Sequence, residues 1–251
     1  MGFYTLSKEE RVKKVQQIYD DLLVSVKKDK AKFEEYFSDD DTYIRKAAYQ
    51  STGKIFNQQP QLQQELVLLL EELLLKPSEN IRQTAINAAG EIGLKHFDIV
   101  ECFFDKGLAD EHHSVRNAVI GSIKKTGQKN PVPVLQWAKK YLHHPNKEIR
   151  REICHGIELR GRTHPEDILP LLKELQHDST ARVRNTLTHV LGQISYKKGC
   201  LETLVNDLKT WENKKLVSKA IEEIIDVHDR YKDFAVLTQK EAIKFIKQHF
   251  I

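Results

Sequence analysis

The sequence predicts an all-α solenoid of about six helix pairs that ends in a capping helix. Three observations support this prediction: a composition typical of helices, a repeated dipeptide, and the spacing of the apolar residues around it. Glycine and proline are scarce, at 11 and 7 of 251 residues, while 30% of the residues are charged. Such a composition is typical of elongated helical proteins with much exposed surface.

The repeated dipeptide is an isoleucine or valine followed by an arginine. Its five copies are Ile44-Arg45, Ile81-Arg82, Val115-Arg116, Ile149-Arg150 and Val183-Arg184. Successive arginines are 37, 34, 34 and 34 residues apart, and periods of this length indicate stacked helix pairs. A proline or aspartate, which suits a turn, lies five or six residues before each arginine. Offsets −1, +3 and +7 from the arginine are mostly apolar and share one helix face, so each dipeptide begins an amphipathic helix.

Each dipeptide marks the second helix, B, of a unit, and the apolar-periodic stretch before it forms the first helix, A. The sequence therefore predicts one repeat domain over residues 1–251. The B helices are predicted to begin near residues 42, 79, 113, 147 and 181. Residues 7–27 begin with a capping box and are assigned as the first A helix. A weaker sixth unit spans residues 201–230, where Ser218 replaces the arginine, and a capping helix covers residues 238–250.

The chain resembles the HEAT-repeat family over nearly its whole length. The resemblance rests on three features of each repeat: a polar turn, a hydrophobic residue followed by arginine, and a B helix with small residues. The resemblance implies a curved stack in which each helix pair buries its apolar face against its neighbours. In HEAT units this arginine typically bonds turn aspartates of its own or a neighbouring unit. We therefore interpret the repeat arginines as stacking residues: Arg45, Arg82, Arg116, Arg150 and Arg184.

The concave groove of such a stack is lined by B helices, and it is where solenoids usually bind partners. Offsets +1, +5 and +9 from each arginine point away from the apolar stripe and into this groove. They are rich in amides and basic groups, which can follow a phosphate backbone, although any exposed helix face must be polar. The predicted partner-binding residues are Lys46, Gln50, Lys54, Gln83, Asn87, Asn117, Lys125, Arg151, His155, Asn185 and His189.

Basic residues are concentrated in residues 124–162. This segment contains ten lysines and arginines against three acids, an excess of seven, whereas the whole chain has 40 against 36. A clustered basic patch attracts polyanions through counterion release. The groove is therefore predicted to bind either the phosphate backbone of a nucleic acid such as DNA or an acidic protein. The alternative is that the basic patch has no function.

A narrower resemblance concerns residues 144–194. Its motifs are HPN followed by IRR at 144–151, ILPLL at 168–172, and DS followed by VR at 178–184. These motifs resemble the bacterial alkylpurine DNA glycosylases that are built from HEAT-like repeats, and the similarity extends over about residues 130–250. The resemblance implies that DNA lies in the concave groove and that positively charged N-alkylated purines are excised from it.

In that family tryptophans contact the lesion, and a carboxylate lies near the glycosidic bond. Aromatic faces and a carboxylate would stabilise the developing sugar cation. This chain departs from the family pattern because Trp137 and Trp211 lie away from the groove offsets. The carboxylates that could lie in the groove are Glu91, Glu152 and Glu158. A groove aromatic beside a carboxylate would favour the enzyme.

No motif for a phosphate loop, a serine hydrolase, a zinc protease or a dithiol is present. Cys154 is adjacent to His155, but offset +4 predicts a core cysteine. The turn histidines are predicted to be surface residues, too far apart to share a metal ion: His112, His113, His143, His144 and His177.

We therefore expect a monomeric, non-enzymatic scaffold with no metal and no cofactor, and the alternative is an alkylpurine DNA glycosylase. The three cysteines show no spacing typical of a metal site or a disulfide framework, which suits a reducing cytoplasm. No apolar run reaches membrane-spanning length, and the N-terminus lacks the apolar segment of a secretory signal, so a cytoplasmic location is expected.

Overall fold

The computed structural model describes residues 2–250, within which the regular secondary structure is helical. This is the all-α class predicted from the sequence. The α-helices are α1 (Lys8–Val26), α2 (Ala31–Ser38), α3 (Thr42–Gln58), α4 (Gln63–Leu74), α5 (Glu79–Gly93), α6 (Phe97–Leu108), α7 (His113–Lys129), α8 (Pro131–Lys139), α9 (Lys147–Gly156), α10 (Glu158–Gly161), α11 (Pro165–Glu174), α12 (Ala181–Gln193), α13 (Cys200–Leu208), α14 (Lys214–Arg230) and α15 (Gln239–Phe250).

The chain divides into two compact units, one up to Asn130 and one from Pro131 onward. Each of these two units contains several repeats, and each repeat consists of an A helix, a polar turn and a B helix. In the first unit the pairs are α2/α3, α4/α5 and α6/α7, and in the second they are α8/α9, α11/α12 and α13/α14. The single domain predicted for residues 1–251 stays a prediction.

The beginning of the first unit differs from the sequence-based assignment. Residues 7–27 were assigned as the first A helix, and α1 does begin with a capping box between Ser7 and Glu10. The helix directly before the first B helix is instead α2, which the sequence did not predict. Lys30, in the left-handed conformation, separates α1 from α2. Helix α1 packs against both α2 and α3, so it flanks the first helix pair instead of belonging to it.

The core of each unit lies between its A and B helices. Helix α4 contributes a buried leucine stripe at i, i+3, i+4 and i+7, which is the spacing of one helix face: Leu66, Leu69, Leu70 and Leu73. B helices contribute small residues, such as Ala85 and Ala89 in α5. Consecutive B helices of a unit, such as α5 and α7 or α12 and α14, pack side by side.

The second unit ends with α15, which packs against α13 and α14. Thr238 caps it: its backbone N–H donates to Glu241 Oε2 at 2.8 Å, and its hydroxyl accepts from the Glu241 N–H at 3.3 Å. The fourth B helix is interrupted, since α9 ends at Gly156 and the short α10 begins at Glu158. Within residues 2–250, no helix is both long enough and apolar enough to cross a bilayer.

All five repeat arginines donate hydrogen bonds to carbonyl oxygens of the turn before their own helix. Two of them also reach the aspartate 28 residues further on, in the next turn. Arg82 Nε and Nη2 lie 2.7 and 3.1 Å from the Asp110 carboxylate. Arg150 meets Asp178 in the same way, at 2.6 and 3.1 Å. These bidentate pairs join successive turns within each unit.

The environment of these aspartates sets their pKa values. Burial by itself would raise the pKa of Asp110, but the Arg82 guanidinium and the His112 N–H outweigh it, so the pKa lies below its ordinary value. The pKa of Asp178 is lowered against burial by Arg150 and by the Thr180 N–H.

Candidate partner-binding surface

The predicted partner-binding residues lie on the B helices, and every one of them is exposed or half-buried. We use the term B-helix face for the surface that they form in each unit. In the first unit this face belongs to α3, α5 and α7, and in the second to α9, α12 and α14. The prediction that this face binds a partner stays a prediction, so the chemistry of the surface is described for each unit in turn.

In the first unit, a shallow depression of about 310 Å³ lies between α3 and α5. Three of the predicted residues line it, namely Lys46, Gln83 and Asn87, together with the aromatic rings of Tyr43 and Tyr49. The floor therefore combines amide and ammonium donors with aromatic surface. Such a mixture can contact either a planar or an anionic group.

A second depression of about 200 Å³ lies between α5 and α7, and it brings together Tyr49, Asn87, Glu91 and Lys125. The Lys125 ammonium lies 2.6 Å from Glu91 Oε1, so the charge of this lysine is partly compensated. Burial, and then the charge of Glu91, raise the pKa of Tyr49. The face of the first unit thus contains an aromatic ring and a carboxylate in one depression.

The largest concavity described in the second unit is an open cleft of about 500 Å³ between α9 and α12. We call it the α9–α12 cleft, and its lining contains no aliphatic side chain: Arg151, His155, Arg182, Asn185, Thr186 and His189. Four of these six residues were predicted from the repeat offsets. Arg182 and Thr186, at offsets −2 and +2 from Arg184, were missed because only offsets +1, +5 and +9 were assigned to the groove.

Buried carboxylates lie behind this cleft. Glu158 and Glu152 are only 1% and 3% exposed. The Arg162 guanidinium donates to Glu158 Oε1 and, at 2.9 Å, to Gln193 Oε1. Gln193, which offset +9 had placed on the groove surface, is therefore a buried partner of Arg162. Its burial follows from the close packing of α12 against α14.

A smaller depression of about 160 Å³ lies between α12 and α14. It shares Asn185 with the α9–α12 cleft and adds the cations Arg184, Lys215 and Lys219. The polar surface of the second unit is therefore continuous from α9 to α14. The weak sixth repeat, whose B helix is α14, contributes two lysines that the repeat pattern did not assign to the surface.

Three further predicted residues, Gln50, Lys54 and Asn117, are exposed on the B helices of the first unit. The Lys54 ammonium lies 4.6 Å from the centre of the Tyr19 ring, a cation–π distance that ties it to α1. None of the three lines a depression described above. Their place in a partner-binding surface rests on the repeat offsets alone.

The basic segment 124–162 is less positive in the structure than in the sequence. At least six of its ten cations lie within 4.0 Å of a carboxylate, among them Lys125, Lys139, Arg150, Arg151, Arg160 and Arg162. Four of the acids come from outside the segment, namely Glu91, Asp167, Glu174 and Asp178. The excess of seven therefore overstates the positive charge that this segment offers to a partner.

The two tryptophans and the cysteine that were weighed for catalysis occupy core positions. Trp137 and Trp211 are both 0% exposed, and the Trp211 indole N–H donates to Asp207 Oδ2 at 2.6 Å. Cys154 is also fully buried, and this burial raises the pKa of its thiol well above the ordinary value. A cysteine in such an environment is a poor nucleophile, because its thiolate form is disfavoured.

No protein-family model and no curated protein matched the sequence. Among solved structures, AlkD2 from Streptococcus mutans is similar with a TM-score of 0.57 and 15% identity, over 84% of this chain and 97% of that one. The TOG domain structure of Crescerin is similar with a TM-score of 0.51 and 18% identity, over 76% and 87% of the two chains. These likenesses are to the fold alone, and they confirm the HEAT-like repeat fold predicted from the sequence.

Proposed function

We propose that this protein is a non-enzymatic binding scaffold whose B-helix face holds a polyanionic partner, namely a nucleic-acid backbone. The observation that supports the proposal is the α9–α12 cleft. Its lining consists of guanidinium, imidazole, amide and hydroxyl groups, all of which donate hydrogen bonds to phosphate oxygens. Lys215 and Lys219 extend this donor surface across α14.

The cleft arginines keep donors for a partner although they are ion-paired. Arg151 Nε and Arg182 Nη1 both contact the Glu148 carboxylate, at 3.0 and 3.1 Å. One carboxylate thus compensates two guanidinium groups in part, and each guanidinium has five N–H donors. Glu148 therefore holds both arginines at the cleft and leaves them donors for a phosphate group.

Charge reversal on this surface tests the proposal. Arg182→Glu combined with Lys219→Glu replaces two cations of the second unit, and Lys240→Glu combined with Lys244→Glu on α15 makes the same change of net charge elsewhere. Fluorescence anisotropy of labelled duplex and single-stranded DNA, at several salt concentrations, measures the affinity. The variant of Arg182 and Lys219 is expected to lower the salt slope by about 2, since each lost phosphate contact lowers it by about 1.

Two results contradict the proposal. Equal loss of affinity in the Arg182/Lys219 variant and in the α15 variant would mean that only net charge matters. Tighter binding of polyglutamate than of DNA, at equal charge and salt, would assign the surface to an acidic protein.

A second candidate function is the excision of N-alkylated purines, and the depression with Tyr49 and Glu91 favours it. An aromatic face and a carboxylate are the groups that would stabilise a cationic base and the developing sugar cation. Lys125 would have to release Glu91 for this chemistry. The assay is the release of free base from N-methylated DNA by the wild-type chain and by Glu91→Gln. Release at the rate of a protein-free control rules this function out, and it leaves the binding proposal untouched.

A further inference from the structure

Three side chains with metal-binding atoms converge at the wall of the α9–α12 cleft. They are His155, Glu158 and His189, and one donor atom from each lies within 4.8 Å of the other two. His155 Nδ1 is 2.9 Å from Glu158 Oε2. The centres of the two imidazole rings are 6.1 Å apart. This set is distinct from the turn histidines, which are predicted to be surface residues too far apart to share a metal ion.

The repeat itself places these groups together. His155 and His189 both occupy offset +5 from their repeat arginines, and consecutive B helices α9 and α12 pack side by side. Glu158 follows His155 by three residues, a spacing that brings side chains onto the same side of a helical stretch. Two neighbouring repeats therefore supply the three donor atoms, and the histidines are held by different helices.

We propose that His155, Glu158 and His189 form a binding site for a divalent transition metal ion of the zinc type. Two imidazoles and one carboxylate are a zinc ligand set, whereas Mg²⁺ and Ca²⁺ take oxygen ligands. Three protein ligands leave a coordination position on the side of the open cleft. This site goes beyond the proposed polyanion binding and does not depend on it.

The donor atoms are close to the geometry that such an ion requires. Bonds of about 2.0–2.1 Å in a tetrahedral site place ligand atoms about 3.4 Å apart. His155 and Glu158 are already this close, so the adjustment falls on His189. Its side chain is 42% exposed and lines the open cleft, which leaves it room to rotate by the remaining distance.

Groups behind the ligands hold them in place. Arg162 binds Glu158 through Oε1, which leaves Oε2 toward His155. Glu223 Oε1 lies 3.4 Å from His189 Nδ1, and Arg230 contacts the same carboxylate oxygen at 3.1 Å. A carboxylate behind a ligating histidine fixes its tautomer and orientation, and with Nδ1 facing Glu223 the nitrogen left for the ion would be His189 Nε2.

The charges around the site come close to balance before an ion binds. Four arginines oppose a cation, and five carboxylates, including that of Glu158, favour it: Arg151, Arg162, Arg182 and Arg230 against Glu148, Glu152, Glu158, Glu223 and Asp226. The carboxylates already contact those arginines, so the ion is not repelled by an uncompensated positive field. A bound divalent ion would add positive charge to the cleft wall.

The experiment is a titration of the untagged full-length chain with Zn²⁺ against a chromophoric chelator, with Mg²⁺ as a second probe. We expect one saturable Zn²⁺ site and no comparable binding of Mg²⁺. His189→Ala is expected to weaken Zn²⁺ binding at least tenfold, because it removes one of three protein ligands. His112→Ala combined with His113→Ala removes two surface histidines in a turn of the other unit and is expected to leave the affinity unchanged.

A folding defect would be distinguished by a second measurement. Thermal melts followed by circular dichroism should show that Zn²⁺ raises the Tm of the wild-type chain and of the turn-histidine variant but not that of His155→Ala or His189→Ala. The proposal is overturned if the wild-type chain has no saturable site. It is also overturned if the turn-histidine variant loses the binding while His189→Ala keeps it.

Discussion

Arg82→Ala provides a direct measure of what the repeat arginines contribute to stability. The Arg82 side chain is 10% exposed. It donates to Asp110 at 2.7 and 3.1 Å and to the carbonyl oxygens of Lys76 and Pro77 at 3.0 and 2.7 Å. Removing one partner of a buried ion pair costs about 3–5 kcal/mol. The His112 N–H, which donates to Asp110 at 2.8 Å, remains a partner for that carboxylate when Arg82 is removed, so we expect the lower limit, about 3 kcal/mol.

The matched control is Arg45→Ala. The described hydrogen bonds of Arg45 go to the turn carbonyls of Asp39 and Asp40 and include no carboxylate. Its loss should cost about 1 kcal/mol. Urea unfolding followed by circular dichroism measures both variants, and for a chain of this length the Arg82 effect corresponds to a fall in Tm of about 6–12 °C. If the two variants differ by less than about 1 kcal/mol, the ion pair between successive turns contributes nothing and the reasoning is wrong.

Two further predictions concern acid stability and the packing of the B helices. The pKa of Asp110 and of Asp178 is lowered on folding, so their contribution to stability is complete above the unfolded pKa of about 3.9 and is lost as pH falls through the folded value. Unfolding free energies measured from pH 6 to pH 2 should therefore fall steeply below about pH 4 in the wild-type chain and less steeply in Arg82→Ala. A methyl group added at Gly53 would lie 2.5 Å from Glu91 Cβ, whereas at Gly121 it would meet nothing within 4 Å. Gly53→Ala should thus lose about 1–3 kcal/mol and Gly121→Ala gain roughly 0.5–1 kcal/mol in urea unfolding, and similar values for both would contradict the close approach of α3 to α5.

The sequence predicted those parts of the fold that depend on periodicity. The B helices carry a hydrophobic stripe over several turns, and a repeated dipeptide sets their register. Helix α2 was missed because its eight residues are too short for a periodic pattern to be recognised. Its three buried aromatics, Phe33, Tyr36 and Phe37, lie at i, i+3 and i+4, and this spacing was the available signal. The extra turn between α1 and α2 depends on the left-handed conformation of Lys30, a residue type that does not signal it.

The surface was predicted less completely, because its charge depends on residues that are distant in sequence. Counting the charges of residues 124–162 could not include Glu174 or Asp178, which approach only after α11 and the following turn have packed. The offset of a residue from its repeat arginine also does not predict whether its side chain is buried. Gln193 satisfies the groove pattern and is nevertheless 1% exposed, because α14 covers that end of α12.

Two side-chain contacts could have been predicted by comparing residues at equal offsets in consecutive repeats: the ion pair of Glu91 with Lys125, and the approach of His155 to His189. Because B helices of one unit pack side by side, residues at the same offset become neighbours, 34 positions apart in the chain. Offset +9 gives Glu91 and Lys125, which form an ion pair at 2.6 Å. Offset +5 gives His155 and His189, whose rings approach to 6.1 Å. A sequence of this period is thus better analysed as rows across the stack than as separate helices, since opposite charges or two histidines in one row predict a contact that no single helix shows.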